Sequence, residues 1–363
     1  MARRSGFILA AVAVGLAVCL GAAAAGPAVA QTVADKLYAD LAKLPKEERA
    51  KRIVEGAQKE EKLDFIQSII SQIGTDQVKL FSARYPFVKM SMTKLDTAPA
   101  AARLVQEETA GRHLTDIITT AVPDMGQIME LDIAARYKTP ATDALLPQYK
   151  GFIDPEGRWT PWYWSEHGLN YNTALLPKGL TLTSYWDLCK PEFKGQFSMD
   201  IAETRFMVGM YTMLGEGKLK EWLQCMGKNE PVIQNGHTVR LELMLAGDHW
   251  ASPDNYLYRG TMMAEKNPKK APFKVVYEAP IMAYAAGMVI NKNVVHPYGA
   301  ALLADWALTE ECQNFMKAQY RGPVTVSHPY MPDNAQLVTF GFVASDLEKK
   351  LHDYWKEYVG VKR

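Results

Sequence analysis

The chain has 363 residues, 41 Lys and Arg against 40 Asp and Glu, and 48% hydrophobic residues. A formal charge of +1 gives it no electrostatic reason to seek nucleic acid or an anionic membrane surface. The length exceeds what one core usually supports, so two lobes are expected.

Residues 1–30 have the make-up of a secretory signal. Arg3 and Arg4 open it, Phe7 to Ala25 is an apolar, alanine-rich run, and Ala28-Val29-Ala30 is a small-residue cleavage site. A retained anchor would be longer and richer in leucine. A lipoprotein cut before Cys19 would not tolerate Val18, and a twin-arginine signal would want a large apolar residue where Gly6 stands. Cleavage after Ala30 removes two arginines and no acid, which leaves a formal charge of −1 on the chain from Gln31. Beyond Ala30 no run is apolar for long enough to span a bilayer. Export is the expectation.

Three cysteines then remain, Cys189, Cys225 and Cys312. Cys189 and Cys225 each end a helical stretch and are the expected disulfide pair, although spacing alone does not fix connectivity. Cys312 lies in a helical pattern and is expected as a buried core thiol. No spacing resembles a zinc site.

Asp35 to Glu60 is a charged helical lead-in, restarted at Pro45, with Leu37, Leu41, Leu44, Ile53, Val54 and Ala57 forming the docking faces. A β-α-β series follows. Leu63–Ile66, Val88–Met92 and Leu114–Thr119 are predicted strands, alternating with helices over Thr75–Tyr85 and from a Thr97 cap to Ala110. In a parallel sheet, ligands bind beyond the carboxyl ends of the strands. Those ends carry Ser68, Asp96 and Thr120.

Trp162 to Asn172 alternates as a strand, with Trp162, Trp164 and Glu166 on one face and Tyr163, Ser165 and His167 on the other. It is expected to cross between the lobes, with Gly168 and Asn170 lending backbone freedom. Trp162, Trp164 and Trp250 are candidates to line the cleft. A second α/β series comes next, with strands at Gln196–Met199, Val232–Gln234 and Phe273–Tyr277. Its helices are predicted from Glu203-Thr204-Arg205 to Leu214, over Leu219–Gly227, over Thr238–Ala246 and over Asp254–Glu265. Ile281–Ile290 is an apolar strand that crosses back. Helices at Tyr298–Leu308, Thr309–Ala318 and Asp346–Val359 close the chain.

Several segments resemble, in order and spacing, a family of periplasmic solute-binding proteins of ATP-driven importers, in the branch that includes ferric-iron binders. Glu55-Gly56-Ala57-Gln58-Lys59-Glu60-Glu61-Lys62-Leu63 is similar to the E-x-A-K-K-E-G-K-L opening, and Phe81 with Tyr85-Pro86 to F-x-x-x-Y-P. Arg103-Leu104 through Asp116-Ile117, Gly157-Arg158-Trp159 with Tyr171-Asn172-Thr173, and Trp186-Asp187-Leu188 to Gly195 resemble three further blocks. The similarity runs from about Glu55 to Ala318.

The resemblance implies an α/β, two-lobed periplasmic binding protein type 2 fold, its two lobes joined by two crossing strands. Residues 61–165 and 281–363 would form lobe 1 and residues 166–280 lobe 2, after a signal over 1–30 and a lead-in over 31–60. It implies the substrate-binding component of an ABC importer: not an enzyme, without a resident cofactor, periplasmic, monomeric, and partnered by a small solute and a membrane permease.

The expected ligand contacts are Ser68, Asp96, Thr120, Thr204, Arg205 and Tyr256. Thr204 and Arg205 open a helix, whose free N–H groups and partial positive charge suit an anion, and Arg205 adds a two-pronged donor. Tyr256 and Tyr258 stand where iron-binding relatives carry adjacent tyrosines, but Leu257 takes the second position of that pair. Tyrosinate suits a hard trivalent cation, so ferric iron held by Tyr256 and Tyr258 is the alternative ligand. His167, His237 and His249 lack helical ligand spacing and are expected to be structural or solvated. An exported hydrolase is the reading of another class, but no nucleophile elbow, P-loop or dinucleotide fingerprint is present.

Overall fold

The computed structural model describes residues 32–360 apart from 152, 202–203, 267–270 and 333; the expected signal lies outside the described residues. Helices α1 (Val33–Leu41) and α2 (Lys46–Glu60) form the lead-in. Thr32 caps α1 in a reciprocal capping box with Asp35, and Glu61 ends α2 in a left-handed conformation. Strand β1 (Lys62–Gln67), helix α3 (Ser71–Arg84), β2 (Lys89–Lys94), α4 (Thr97–Thr109) and β3 (Ile117–Ala121) follow, with β1 pairing parallel to both β2 and β3. The predicted β-α-β series is present, but the cap of α4 is Asp96 and Thr97 is already helical.

Short helices α5 (Gly126–Glu130) and α6 (Pro147–Lys150) lead to β4, which runs from Thr160 to Asn172. The second series holds β5 (Ser198–Met199), α7 (Thr204–Lys228), β6 (Val232–Ile233), α8 (His237–Ala246), β7 (Ala251–Tyr256), α9 (Leu257–Lys266) and β8 (Phe273–Val275). The two predicted helices, to Leu214 and from Leu219, are both present within α7, parted by a non-helical break at Gly215, whose φ is 72°. Asp254 to Tyr256, expected as helix, belongs to β7. Asp254 and Asn255 are fully buried there, and residues of β7 pair with His167 to Tyr171 of β4. β9 (Ile281–Ile290), α10 (Pro297–Ala307), α11 (Glu310–Ala318), β10 (Leu337–Thr339) and α12 (Ser345–Tyr358) complete the chain.

β4 and β9 are the two crossing strands. They run antiparallel side by side, from Thr160 opposite Met288 to His167 opposite Met282. At one end β9 pairs with β3, which ties the crossing to the β2-β1-β3 sheet; at the other, β4 pairs with β7 and β8. Both strands are buried along almost their whole length, so their apolar runs lack the alternation of a half-exposed sheet.

Gly168 serves close packing rather than backbone freedom. A methyl group there would lie 2.9 Å from Ile281 Cδ1 and 3.1 Å from a Leu257 methyl.

One core lies under β1–β3 and gathers α1, α2, α3, α10 and α11. Another gathers α7, β5, Leu169 and the apolar face of α12, where Leu351 and Trp355 join Trp222 and Phe206. The last helix, expected with lobe 1, thus packs on α7; Lys350 and Tyr354 also bind Glu216, Lys350 at 2.6 Å. Cys189 and Cys225 are joined by a disulfide across this second core, with Cα atoms 5.4 Å apart. Cys312 is a fully buried thiol whose Sγ accepts from Gln77 Nε2 at 3.8 Å.

Candidate functional site

A cavity of about 490 Å³ lies where the crossing strands meet the two series. Its first wall is the carboxyl end of β1 and the starts of α3 and α4: Ser68, Ile70, Asp96 and Thr97. The opposite wall is the start of α7 and α8, with Arg205, Asn235 and His237. The floor is the crossing pair, contributing Tyr163 and Ser165 from β4 and Tyr284 from β9. Tyr256, Tyr258 and Arg321 close the last side.

Of the expected contacts, Ser68, Asp96, Arg205 and Tyr256 line the cavity. Ser68 is set by Thr119, whose Oγ1 accepts its N–H at 2.8 Å and lies 3.1 Å from its hydroxyl. Asp96 is at the rim, exposed and paired with Lys94 at 2.9 Å. Thr120 is fully buried, and its hydroxyl donates to the Thr97 carbonyl at 2.7 Å, which braces α4 rather than facing the cavity. Thr204 is the first residue of α7 and places Arg205.

Arg205 Nη1 donates to the Tyr284 hydroxyl at 3.2 Å and the Tyr256 hydroxyl at 3.4 Å, while the two hydroxyls lie 3.0 Å apart. Asp124 Oδ1 lies 3.8 Å from its Nε. Asp200 is engaged on its own side of the cavity, accepting the Gly236 N–H at 2.9 Å and lying 3.5 Å from Arg240.

Arg321 is different. It is 5% exposed, its guanidinium carbon sits 3.8 Å from the Tyr258 ring centroid, and its Nε has no hydrogen-bond partner. No acid forms an ion pair with it among the described residues. Burial works against its charge and the face of the Tyr258 ring favours it, and a guanidinium keeps its proton in either case, so it is a cation. Burial pushes Tyr163 up to about 12, so its phenol stays protonated.

The backbone carrying Arg321 is pinned to the reverse face of β4. Trp164 N–H donates to the Gly322 carbonyl at 2.6 Å. Glu166, 2% exposed, takes His328 Nε2 at 2.9 Å and the Tyr330 hydroxyl at 3.2 Å. His328 Nδ1 accepts the Met331 N–H at 3.1 Å, so Nε2 holds the proton given to Glu166. A hollow of about 660 Å³ also opens on this reverse face, beside Tyr149, His328 and Met331. It is larger than the cavity, but the ring of His328 is already spent on Glu166 and the backbone.

Sequence reasoning missed Arg321, Tyr284, Tyr163 and His237. Tyr163 was legible, since the strand alternation puts it on one face with Ser165. Of the tryptophans expected in the cleft, Trp162 and Trp164 are buried on the other face, where Trp164 stacks on Tyr149 at 4.8 Å, and Trp250 packs against Phe193. Nothing in the sequence marks Arg321, which follows the end of α11. His237 lines the cavity and lies 4.1 Å, ring to ring, from Tyr256. His167 is packed against the same ring at 4.2 Å, and His249 is buried, its pKa lowered by that burial.

Two α/β lobes joined by two crossing strands, with a polar cavity at the crossing, define the two-lobed architecture of periplasmic binding proteins, type 2. The chain belongs to the family of bacterial extracellular solute-binding proteins, whose family model matches residues 113–341. Solved structures share the fold. The periplasmic binding protein P5PA superposes with a TM-score of 0.66 at 21% identity, over 82% of this chain and 99% of that one. Iron-bound HitA from Pseudomonas aeruginosa gives 0.69 at 15% identity, over 82% and 99%. AfuA from Actinobacillus pleuropneumoniae, with exogenous fructose-6-phosphate bound, gives 0.65 at 20% identity, over 83% and 99%. No protein of curated function matches the sequence. Membership makes this a solute-binding protein of the transport class, and the family implies a small solute, an ABC permease partner and a periplasmic setting.

Proposed function

We propose that the chain captures a small anionic solute in the cavity between Ser68, Arg205, Tyr256 and Arg321, closes its two lobes over it, and presents the closed form to the permease of an ABC importer. The observation that carries this is Arg321, a buried guanidinium on the cavity wall that pairs with no acid among the described residues. Such a charge is costly unless something neutralises it, and an anionic guest would do so. Arg205, a second cation on the same cavity, faces it from the start of α7. Solute touching both lobes stabilises the closed form, which is the differential affinity that hinge closure requires. The protein acts as a monomeric periplasmic receptor with no chemistry of its own. Lobe 1 comprises residues 61–165 with 281 onward and lobe 2 residues 166–280, with α12 leaning on α7.

Ferric iron accompanied by a chelating anion is the second reading. It is favoured by the paired hydroxyls of Tyr256 and Tyr284 with Tyr258 on the same cavity, and by fold relatives such as HitA that were solved with iron. Two guanidinium groups oppose a bare trivalent ion, so the anion would be obligatory. Thermal-shift screening of the chain from Gln31 against organic anions, neutral sugars, amines and ferric citrate separates the readings. Anions alone should raise the melting temperature. A shift with neutral or cationic solutes and none with anions would sink the proposal, and a visible charge-transfer band with ferric citrate, lost in Tyr256→Phe, would favour iron.

A further inference from the structure

Resting on that anion-capture reading, which makes Arg321 the solute's cation, we infer that Tyr320 is the positioning residue for Arg321. Tyr320 ties to Glu265 while Arg321 lies on Tyr258, so the two neighbours clasp α9 at two points and the guanidinium is held on the cavity wall. The segment begins where α11 ends. Arg321 N–H donates to the Met316 carbonyl at 3.0 Å and Tyr320 N–H to the Lys317 carbonyl at 3.0 Å, the two bonds that close a helix through a left-handed residue. Tyr320 is that residue, with φ 59°. Helices α4 and α8 end in the same pair of bonds, and both place glycine there, Gly111 at φ 65° and Gly247 at φ 106°. Of the other non-glycine residues at positive φ among those described, Glu61, Asp132 and Glu230, none is aromatic. A bulky side chain in this conformation crowds its own backbone, and such strain collects where the side chain has a task.

The task shows in what the side chain reaches. The Tyr320 hydroxyl donates to Glu265 Oε2 at 2.5 Å, near the end of α9, a bond to a carboxylate that raises the phenol's pKa, so the hydroxyl keeps the proton it gives. The guanidinium carbon of the next residue lies 3.8 Å from the ring centroid of Tyr258, in the first turn of α9. Tyr258 and Glu265 are seven residues apart, so the two contacts are two turns, or about 10 Å, apart along one helix face. Glycine at position 320 would meet the backbone demand of the helix end but could not reach Glu265. On the other side of Arg321, the Gly322 carbonyl accepts the Trp164 N–H at 2.6 Å. Between that bond to β4 and the Tyr320 clasp, the Arg321 side chain is carried against Tyr258 and onto the cavity wall.

Two measurements on the chain from Gln31 test this, and the first needs no solute. Butanedione, a small reagent selective for arginine, is followed at Arg321 by peptide mass spectrometry. Arg321 is 5% exposed and should react slowly in the unaltered protein. It should react at least about threefold faster in Tyr320→Phe, which loses only the bond to Glu265. Glu265→Ala should do the same, and the double variant no more than either. The second measurement is calorimetric titration with citrate, or with whichever organic anion of the thermal-shift screen binds most tightly. Tyr320→Phe should weaken that anion about three- to tenfold, and should do nothing further in an Arg321→Gln background, because it acts through that side chain. Tyr320→Gly should weaken it at least as much yet melt no lower than the unaltered chain, since glycine relieves the left-handed backbone. Equal reactivity of Arg321 in the unaltered chain and in both Tyr320 variants would overturn the inference, as would an affinity loss that persists in full without Arg321. A Tyr320→Gly chain that melts well below the unaltered one would also overturn it, by making Tyr320 a brace of α11. If every anion fails to bind while the reactivity rises as expected, the capture reading falls and the clasp does not.

Discussion

At the scale of single residues, the site is an arrangement of tyrosines around two arginines: hydroxyls bond Arg205, and the Tyr258 ring lies against Arg321. Tyr256 holds Arg205 and touches Tyr284. Tyr256→Phe removes one hydrogen bond to a charged group without opening a cavity, so solute affinity should drop by about 1.5–3 kcal/mol, or roughly ten- to a hundredfold, with the fold unchanged. Titration alongside a far-ultraviolet spectrum checks both halves of that statement. Cys312 gives a contrasting case. Burial raises its thiol to about 12, so the native protein at pH 8 holds it protonated, and thiolate reagents should not label it until the chain unfolds. Rapid labelling of the folded chain with Cys189 and Cys225 still bridged would show that the α3–α11 core is open.

At the scale of elements, β4 does two jobs with its two faces. Tyr163 and Ser165 floor the cavity, and Glu166 on the reverse face grips the segment that carries Arg321. Glu166→Gln puts an amide donor where His328 and Tyr330 already donate, so it should loosen that segment. The expected result is solute affinity lowered about three- to tenfold, with the melting temperature lowered by a few degrees. Unchanged affinity would mean that the reverse face does not position Arg321. Helix α12 gives the acid response. Hydrogen bonds from Lys350 and Tyr354 hold Glu216 down at about 2 against an ordinary 4.5. A depressed carboxylate pKa contributes stability above its unfolded value that is lost as pH falls through the folded one, so the α7–α12 contact should weaken from about pH 4.5 towards pH 2. Melting curves across that range should show the loss, and Glu216→Gln should flatten it.

The same elements show what was legible beforehand. The β-α-β series, both crossing strands and the capture class could be read because each rests on local period, cap residues or ordered motifs. Asp254 to Tyr256 misled, because a run of polar residues looked like a helix start. Its burial comes from Arg240, which bonds Ser252 at 3.0 Å and also Asp254, a partner fourteen residues away in sequence that no local pattern shows. Arg321 was invisible for a similar reason. Its meaning lies in the absence of a nearby acid and in Tyr258 beneath it, both products of tertiary contact. Ser68 and Arg205 were within reach because the ends of strands and the starts of helices are where such folds gather polar groups, and both line the cavity.

At the scale of the whole molecule, capture and stability pull against each other at Arg321. A buried cation without an acid is a burden on the empty protein, relieved only in part by the Tyr258 ring. Natural binding sites commonly keep such groups at a cost to the fold. Arg321→Met keeps much of the side-chain volume and a sulfur–aromatic contact with Tyr258 while removing the charge. The empty variant should therefore melt higher than the unaltered chain, by about 1 kcal/mol or more of stability. That corresponds to roughly 1–2 °C for a chain of this size. Saturating solute should do the reverse. At about one hundred times its dissociation constant, an anion should add roughly 2.7 kcal/mol to the unaltered protein and close to nothing to Arg321→Met. The two melting temperatures should thus cross: the variant more stable when empty, the unaltered chain more stable when loaded. A variant that melts lower than the parent in both states would mean that Arg321 is a structural cation, and that the cavity must find its anion elsewhere.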